Sequence, residues 1–412
     1  MSAISDTGVV YAFGEYELDT RRHELRRAGE PTHIEPQVFD VLAYLLAQRD
    51  RLVTKAELLD AVWGHHFVAP ATLNSRIKAA RHAVGDDGAA QCVIRTVHGC
   101  GFRIVVEVEE HPALTTSEAT SPPRSPVDDR PAITQKIRFC TSADGVRLAY
   151  ATSGAGPPLV KPANWLTHLE YDWESPVWRH WLRELSRHHT LVRYDERGSG
   201  LSDWTAQNVS FDSWVTDLET VVDALGLERF PLLGISQGCA VAIAYAARHP
   251  ERVSRLILYG GFLLGLRRRA RTEQEVEEVE ARIRILPSGW GRDNPAFRQF
   301  FAAIFLPEGS PEQIRWFSEL QRVSTSPANA VRLLSTSADI DIEAVAPGVS
   351  APTLVLHATG DAAVPFEQGQ HLATLLPDAR FVPLDSRNHI LLEHEPAWPR
   401  FVHEVQRFLG EA

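Results

Sequence analysis

The stretch "FPLLGISQGCAVAIAYAARHP", residues 230–250, decides the fold. Its first six residues read as a buried strand, and "QGCAVAIAYAARHP" reads as the helix that follows it. A single serine, Ser236, stands between them, inside the pentad "GISQG" (234–238). Alone, Gly-x-Ser-x-Gly is either a glycine turn with a capping serine or a nucleophile elbow. The strand-to-helix junction favours the second reading. There, small residues at Gly234 and Gly238 permit a strained backbone and close packing, and the serine hydroxyl is pushed out above the sheet.

A serine nucleophile needs a base, and the base needs an orienting carboxylate. "HATGDAAVP" places Asp361 just past a late strand, and "DSRNHILLEHEP" places His389 in the loop after the next one. The candidate catalytic set is therefore Ser236, His389 and Asp361. Asp195 also ends a strand, but its loop is structural in the superfamily that residues 133–410 resemble. His357 falls within the strand "LVLH" and is expected to pack. His168 is also expected to be structural. From residue 133 onward, strands alternate with helices, which predicts a doubly wound, parallel sheet.

Residues 133–410 resemble the α/β-hydrolase superfamily. The resemblance rests on "GISQG", on the chain order Ser, Asp, His, and on "DERGSGLSD" (195–203), similar to the family's loop after the fourth strand. It implies an oxyanion hole of two amides. One is the N–H of Gln237. The other comes from the loop after the third strand, where many relatives carry His-Gly. Here that loop reads "KPANWLTH", leaving Asn164 or Trp165 as donor, and Lys161 is unexpected in a buried strand. The serine sets aside the aspartate-dependent dehalogenase and epoxide-hydrolase chemistries of this fold. A mostly helical insert, about residues 262–346, takes the usual place of a lid. Its "RRRAR" (267–271) is followed at once by "EQEVEEVE" and reads as a solvated, salt-bridged helix rather than a nucleic-acid patch.

Upstream, residues 110–132 read "EHPALTTSEATSPPRSPVDDRPA", rich in Pro, Ser and Thr. Such composition buries too little apolar surface to offset its ordering entropy, so a flexible linker is expected over 109–132. Before it, two hairpin-like strands lead to three helices and a closing hairpin. Val38, Phe39, Leu42, Leu45 and Leu46 share one face of the first helix, and Thr54 and Glu57 have capping-box spacing at the second. In the third, Leu73, Ile77, Ala80 and Val84 form the buried stripe. Ser75, Lys78 and His82 point away from that stripe, and Arg76 and Arg81 flank it.

Residues 10–108 resemble the winged helix-turn-helix effector domain of response regulators (the OmpR/PhoB type). The matching runs are "EPQVFDVLAYLLAQRDRLVTKAELLDAVWG", "ATLNSRIKAARHAVGDD" and "VIRTVHGCGFR", the last similar to the family's wing signature. The resemblance implies double-stranded DNA as partner, with promoter half-sites bound by a homodimer. Arg76, Lys78, Arg81 and His82 become groove or phosphate contacts, and Arg95, Thr96 and His98 become wing contacts. His98 stands where the family often has Arg, which implies a weaker, pH-sensitive contact. No receiver domain is read in the chain, so the input signal is expected from the second domain.

The expected architecture is thus an N-terminal winged helix (α+β), residues 10–108, and a C-terminal α/β-hydrolase fold with helical lid, residues 133–412, joined by the linker. The net charge of −11 argues against bulk nucleic-acid or membrane affinity but not against a local basic patch. Four cysteines (Cys92, Cys100, Cys140, Cys239) show no metal spacing. No metal and no cofactor is expected. "MSAISDTGVV" lacks the pattern of a signal peptide and no apolar run approaches a membrane span, so a cytoplasmic, membrane-free protein is expected. Two functions follow from these readings. One is a DNA-binding transcriptional regulator whose hydrolase domain binds and cleaves a small ester-, lactone- or acyl-type ligand. The other is primarily a serine esterase or lactonase with an accessory DNA-binding domain.

Overall fold

A computed structural model of the chain describes residues 9–21, 24–32, 34, 36–63, 70–97, 100–112, 133–290 and 295–410. His98 and the expected linker beyond residue 112 lie outside them. The chain divides into two compact units, Met1–Asp128 and Asp129–Ala412.

The first unit opens with an antiparallel meander, β1 (Val9–Phe13), β2 (Tyr16–Asp19), β3 (Glu24–Arg27) and β4 (Glu30–Thr32). Then come α1 (Pro36–Ala47), β5 (Val53–Thr54), α2 (Lys55–Trp63), α3 (Pro70–Ala83), β6 (Ile94–Val97), β7 (Gly101–Ile104) and β8 (Glu109–Pro112). β7 lies between β5 and β6 in a three-stranded antiparallel sheet. The apolar faces of α1 and α3 close on each other: Val38, Phe39, Leu42, Leu45 and Leu46 are buried with Leu73, Ile77, Ala80 and Val84 in one cluster. Each of these side chains apart from Ala80 contributes about 1.5–3 kcal/mol relative to exposure. Thr54 Oγ1 accepts from Glu57 N at 3.1 Å, but the Glu57 carboxylate goes to Arg51 and Tyr44 instead of completing the box. β8 corrects the linker boundary. Residues 109–112 pair with β1, Val10 opposite His111, because β1 otherwise offers an open edge to the solvent.

The second unit contains β9 (Gln135–Thr141), β10 (Arg147–Ser153), β11 (Pro158–Lys161), α4 (Leu169–Trp173), α5 (Arg179–Leu185), β12 (Thr190–Tyr194), α6 (Phe211–Ala224), β13 (Phe230–Ile235), α7 (Gln237–Arg248) and β14 (Val253–Tyr259). A helical insert follows: α8 (Leu266–Arg269), α9 (Glu273–Gly289), α10 (Pro295–Phe305), α11 (Pro311–Ser324) and α12 (Pro327–Ala338). The chain closes with β15 (Thr353–Ala358), α13 (Phe366–Leu375), β16 (Ala379–Leu384) and α14 (Ala397–Leu409). The eight strands run in the order β16-β15-β14-β13-β11-β12-β10-β9. The sheet is mixed rather than wholly parallel, since β10 is antiparallel to both β9 and β12. A hairpin links β9 to β10 through residues 142–146, and so short a reversal admits only antiparallel neighbours.

Successive residues of β13 face opposite layers. Leu232 packs with α6 and α7, whereas Leu233 and Ile235 pack with α5 and α14. Both faces are buried, which is why this strand reads as an unbroken apolar run. The loops at the carboxyl ends of β11, β13, β14, β15 and β16 carry the candidate site residues.

Candidate functional site

Ser236 occupies a tight turn between β13 and α7, with φ +54° and ψ −127°. A side-chain-bearing residue pays for such a conformation, on the order of 1–3 kcal/mol. The surroundings enforce it. Ser236 N donates to Tyr259 O at 2.9 Å, and Cys239 N donates back to Ser236 O at 3.0 Å. A Cβ on Gly234 would fall 2.6 Å from Cys239 Cα, and one on Gly238 would fall 2.7 Å from Ala163 O. Both glycines are therefore required by close backbone packing, the second of them against the loop after β11.

Asp361 follows β15 and His389 follows β16. His389 Nδ1 stands 2.6 Å from Asp361 Oδ2. Asp361 Oδ1 accepts from the amides of Ala363 and Val364, each at 2.9 Å. Burial pushes the Asp361 carboxyl up, but His389 and the Val364 amide outweigh it and leave it below the usual carboxylate range. His389 N donates to Phe305 O at 2.9 Å, and the Phe305 ring meets the imidazole edge-on at 5.5 Å. The histidine is thus clamped between Asp361 and α10 of the insert. Its Nε2 is buried and has no hydrogen-bond partner among the described residues. The two halves meet at Gly260: a Cβ there would lie 3.0 Å from His389 Cε1 and 3.8 Å from Asp361 Oδ2, one residue beyond the carbonyl that holds Ser236 N.

The amides named for an oxyanion hole, those of Gln237, Asn164 and Trp165, take no hydrogen bond among the described residues. The Asn164 side chain is committed elsewhere. Its Oδ1 accepts from Lys161 Nζ at 2.5 Å and its Nδ2 donates to Trp165 O at 3.2 Å. Trp165 packs on Trp290 at 5.7 Å. Lys161 belongs to a buried ionic group with Asp172 and Arg193, which explains a lysine in an interior strand. Burial lowers the Lys161 ammonium and raises the Asp172 carboxyl from their ordinary values.

The rival side chains have partners of their own, and His357 also stands with its Nε2 3.7 Å from Asp361 Oδ2. Asp195 Oδ2 accepts from Leu169 N and Leu201 N. His168 caps α4 by accepting from Tyr171 N. His357 is fully buried, with Nε2 2.9 Å from Val364 O.

In the first unit, Lys78, His82 and Arg95 are exposed, Arg76 and Thr96 are half-buried, and His98 lies outside the described residues. Arg81 corrects the expectation of a DNA contact. It is buried, its Nε and Nη2 both donate to Ile94 O, at 3.0 and 2.8 Å, and its Nη2 also donates to Thr96 Oγ1 at 2.8 Å. Its donors join α3 to β6, and Thr96 is engaged as their acceptor. Asp86 supports the same joint from the other side, accepting from the amides of Cys92, Val93 and Ile94.

A family model described as alpha/beta hydrolase fold matches residues 171–396. The chain belongs to that family. A second model, transcriptional regulatory protein, C terminal, matches residues 29–104 of this α/β hydrolase. The hydrolase region is 24% identical over 245 residues to pyrrolizixenacetamide deacetylase of Xenorhabdus hominickii, covering 58% of this chain and 86% of that protein. The N-terminal region is 34% identical over 101 residues to the sensory transduction protein RegX3 of Mycolicibacterium smegmatis, covering 24% of this chain and 44% of that protein. The enol-lactonase of Burkholderia xenovorans LB400 shares the fold, with a TM-score of 0.55, 24% identity, and coverage of 66% of this chain and 100% of that one. The α/β hydrolase therefore carries a DNA-binding domain of the response-regulator type.

Two further side chains near the candidate site have no signature in the sequence. Glu196, inside "DERGSGLSD", is buried and accepts from Gln237 Nε2 at 2.8 Å. Arg269, inside "RRRAR", is turned inward over Phe262. Neither has a local signature, because their partners lie at distant positions or in apolar surface.

Proposed function

We propose that the protein is a cytoplasmic, DNA-binding transcriptional regulator whose hydrolase domain binds and hydrolyses a small ester-, lactone- or acyl-type ligand. One observation carries the hydrolytic part: a strained Ser236 at the strand-to-helix elbow, beside a buried His389–Asp361 pair. In the proposed reaction Ser236 Oγ attacks the acyl carbon and its proton passes to His389 Nε2. Asp361 holds the Nδ1–H and steadies the imidazolium. The Gln237 amide, with that of Asn164 or Trp165, receives the oxyanion. His389 then protonates the departing oxygen. In the second half it takes a proton from water, which attacks the acyl-enzyme and regenerates Ser236 Oγ–H.

The DNA part is supported by the winged-helix unit and its exposed Lys78, His82 and Arg95. Ligand or acyl occupancy alters promoter binding by a homodimer on paired half-sites. The test has two arms. Purified protein should hydrolyse p-nitrophenyl acyl esters and lose this with Ser236→Ala; equal rates for the two proteins sink the enzyme claim. A mobility-shift titration on the protein's own promoter should show preference over random duplex at fixed salt. Equal affinity for both duplexes sinks the regulator claim.

A further inference from the structure

Three arginines follow one another in α8, and they are treated differently. Arg267 is ion-paired to Glu280, Nε to Oε1 at 2.6 Å, and to Asp339, Nη1 to Oδ2 at 2.5 Å. Arg268 Nε donates to Asp339 O at 3.4 Å. Arg269 turns the other way. Its guanidinium carbon lies 5.6 Å from the centroid of Phe262, and its Nη1 is buried with no hydrogen-bond partner among the described residues. No carboxylate pairs with it among the described residues. Burial pushes its guanidinium down to about 10, the nearby Arg282 pushes the same way, and Asp361 pulls it back up.

The position is as informative as the missing partner. Phe262 comes two residues after Gly260, the glycine that abuts His389 and Asp361. Arg269 covers Phe262 and lies within electrostatic reach of Asp361. A desolvated cation with an unused N–H is costly unless something supplies the acceptor. Arg282, an exposed cation of α9, acts on it electrostatically in the same sense as burial, so an anion is the natural acceptor. The planar guanidinium fork suits a carboxylate best.

We propose that Arg269 anchors a carboxylate on the acyl part of the ligand cleaved at Ser236, so that the ligand is an ester or lactone of a dicarboxylic type. α8 opens the helical insert that follows β14, and α10 of the same insert holds His389 through Phe305 O. The proposal rests on the reading of Ser236 as nucleophile.

The test compares mono-p-nitrophenyl glutarate with p-nitrophenyl butyrate, two esters that differ by the terminal carboxylate, on the full-length protein and its Arg269→Gln and Arg269→Lys variants. The glutarate-over-butyrate ratio of kcat/KM should fall about tenfold or more in Arg269→Gln and be partly kept in Arg269→Lys. The ratio cancels any loss of folded protein. A ratio within about twofold of wild type in Arg269→Gln overturns the anchor. If neither ester is cleaved and Ser236 takes no fluorophosphonate, the nucleophile reading fails on its own. Glutarate alone then decides the anion site by thermal melting. A rise in the wild-type midpoint that Arg269→Gln lacks sustains it; equal shifts, or none, overturn it.

Discussion

Glu196 Oε1 accepts a hydrogen bond from Gln237 Nε2 at 2.8 Å, so a buried acid grips the residue that follows the nucleophile. Burial pushes the Glu196 carboxyl up to about 8, against the pull of the Gln237 amide. At neutral pH it is mostly protonated. The native state thus holds a proton that the unfolded chain gives up near pH 4.3, and stability falls as pH rises from about 4.3 to about 8. Glu196→Gln removes that dependence while keeping an acceptor for Gln237. Denaturant melts across this pH range should show the variant gaining on wild type with rising pH, and a constant difference would count against the buried acid.

Ser236 itself holds strain. Ser236→Gly relieves the positive φ, less the extra backbone entropy of glycine, and should stabilise the hydrolase unit by about 1 kcal/mol in urea melts. Ser236→Ala keeps the strain and should leave the midpoint near wild type. If serine, alanine and glycine give equal midpoints, the elbow is not strained.

Asp361→Asn should keep the fold and lower ester turnover by about 10³–10⁴-fold, because the amide no longer holds His389 in the required tautomer. Steady-state hydrolysis measures it. The contact of Phe305 with His389 adds a weaker expectation. Phe305→Ala removes the insert's clamp on the imidazole and should lower kcat by about tenfold.

The joint between α3 and β6 separates two basic residues of one helix. Arg81→Ala deletes bonds to Ile94 O and Thr96 Oγ1 in a buried position and should cost the first unit about 2–3 kcal/mol. Lys78→Ala should leave stability nearly unchanged and lower DNA affinity, reducing the slope of log K against log salt by about one. Melting and salt-dependent shift assays on both variants distinguish the roles.

Asp86 makes the same joint sensitive to acid. Burial raises its carboxyl, but the amides of Ile94, Val93 and Cys92 overcome this and hold it at about 2. The depressed value means its contribution is full above about pH 4, the unfolded carboxyl range, and is lost as pH falls toward about 2. Asp86→Asn should melt earlier than wild type at pH 7 and approach it below pH ~2.

Periodicity and local turn chemistry are properties of neighbouring residues, and these were legible in the chain. The strand–serine–helix run at 230–250 and the apolar stripes of α1 and α3 follow from local pattern, whereas the choice of Asp361 and His389 drew on the resemblance to the α/β-hydrolase superfamily as well as on their places after late strands. Only the folded molecule decided which charged side chains leave the solvent. Arg81 and Lys78 share a helix, yet the former meets Ile94 O and the latter faces water. Arg267 and Arg269 share one short helix, yet one finds Glu280 and Asp339 and the other finds Phe262. Glu196 meets Gln237 across 41 positions of sequence. The pairing of β8 with β1 likewise depends on an edge presented from the opposite end of the unit. Burial of a polar group is set by whatever long-range packing brings beside it, and that placement has no period for the sequence to display.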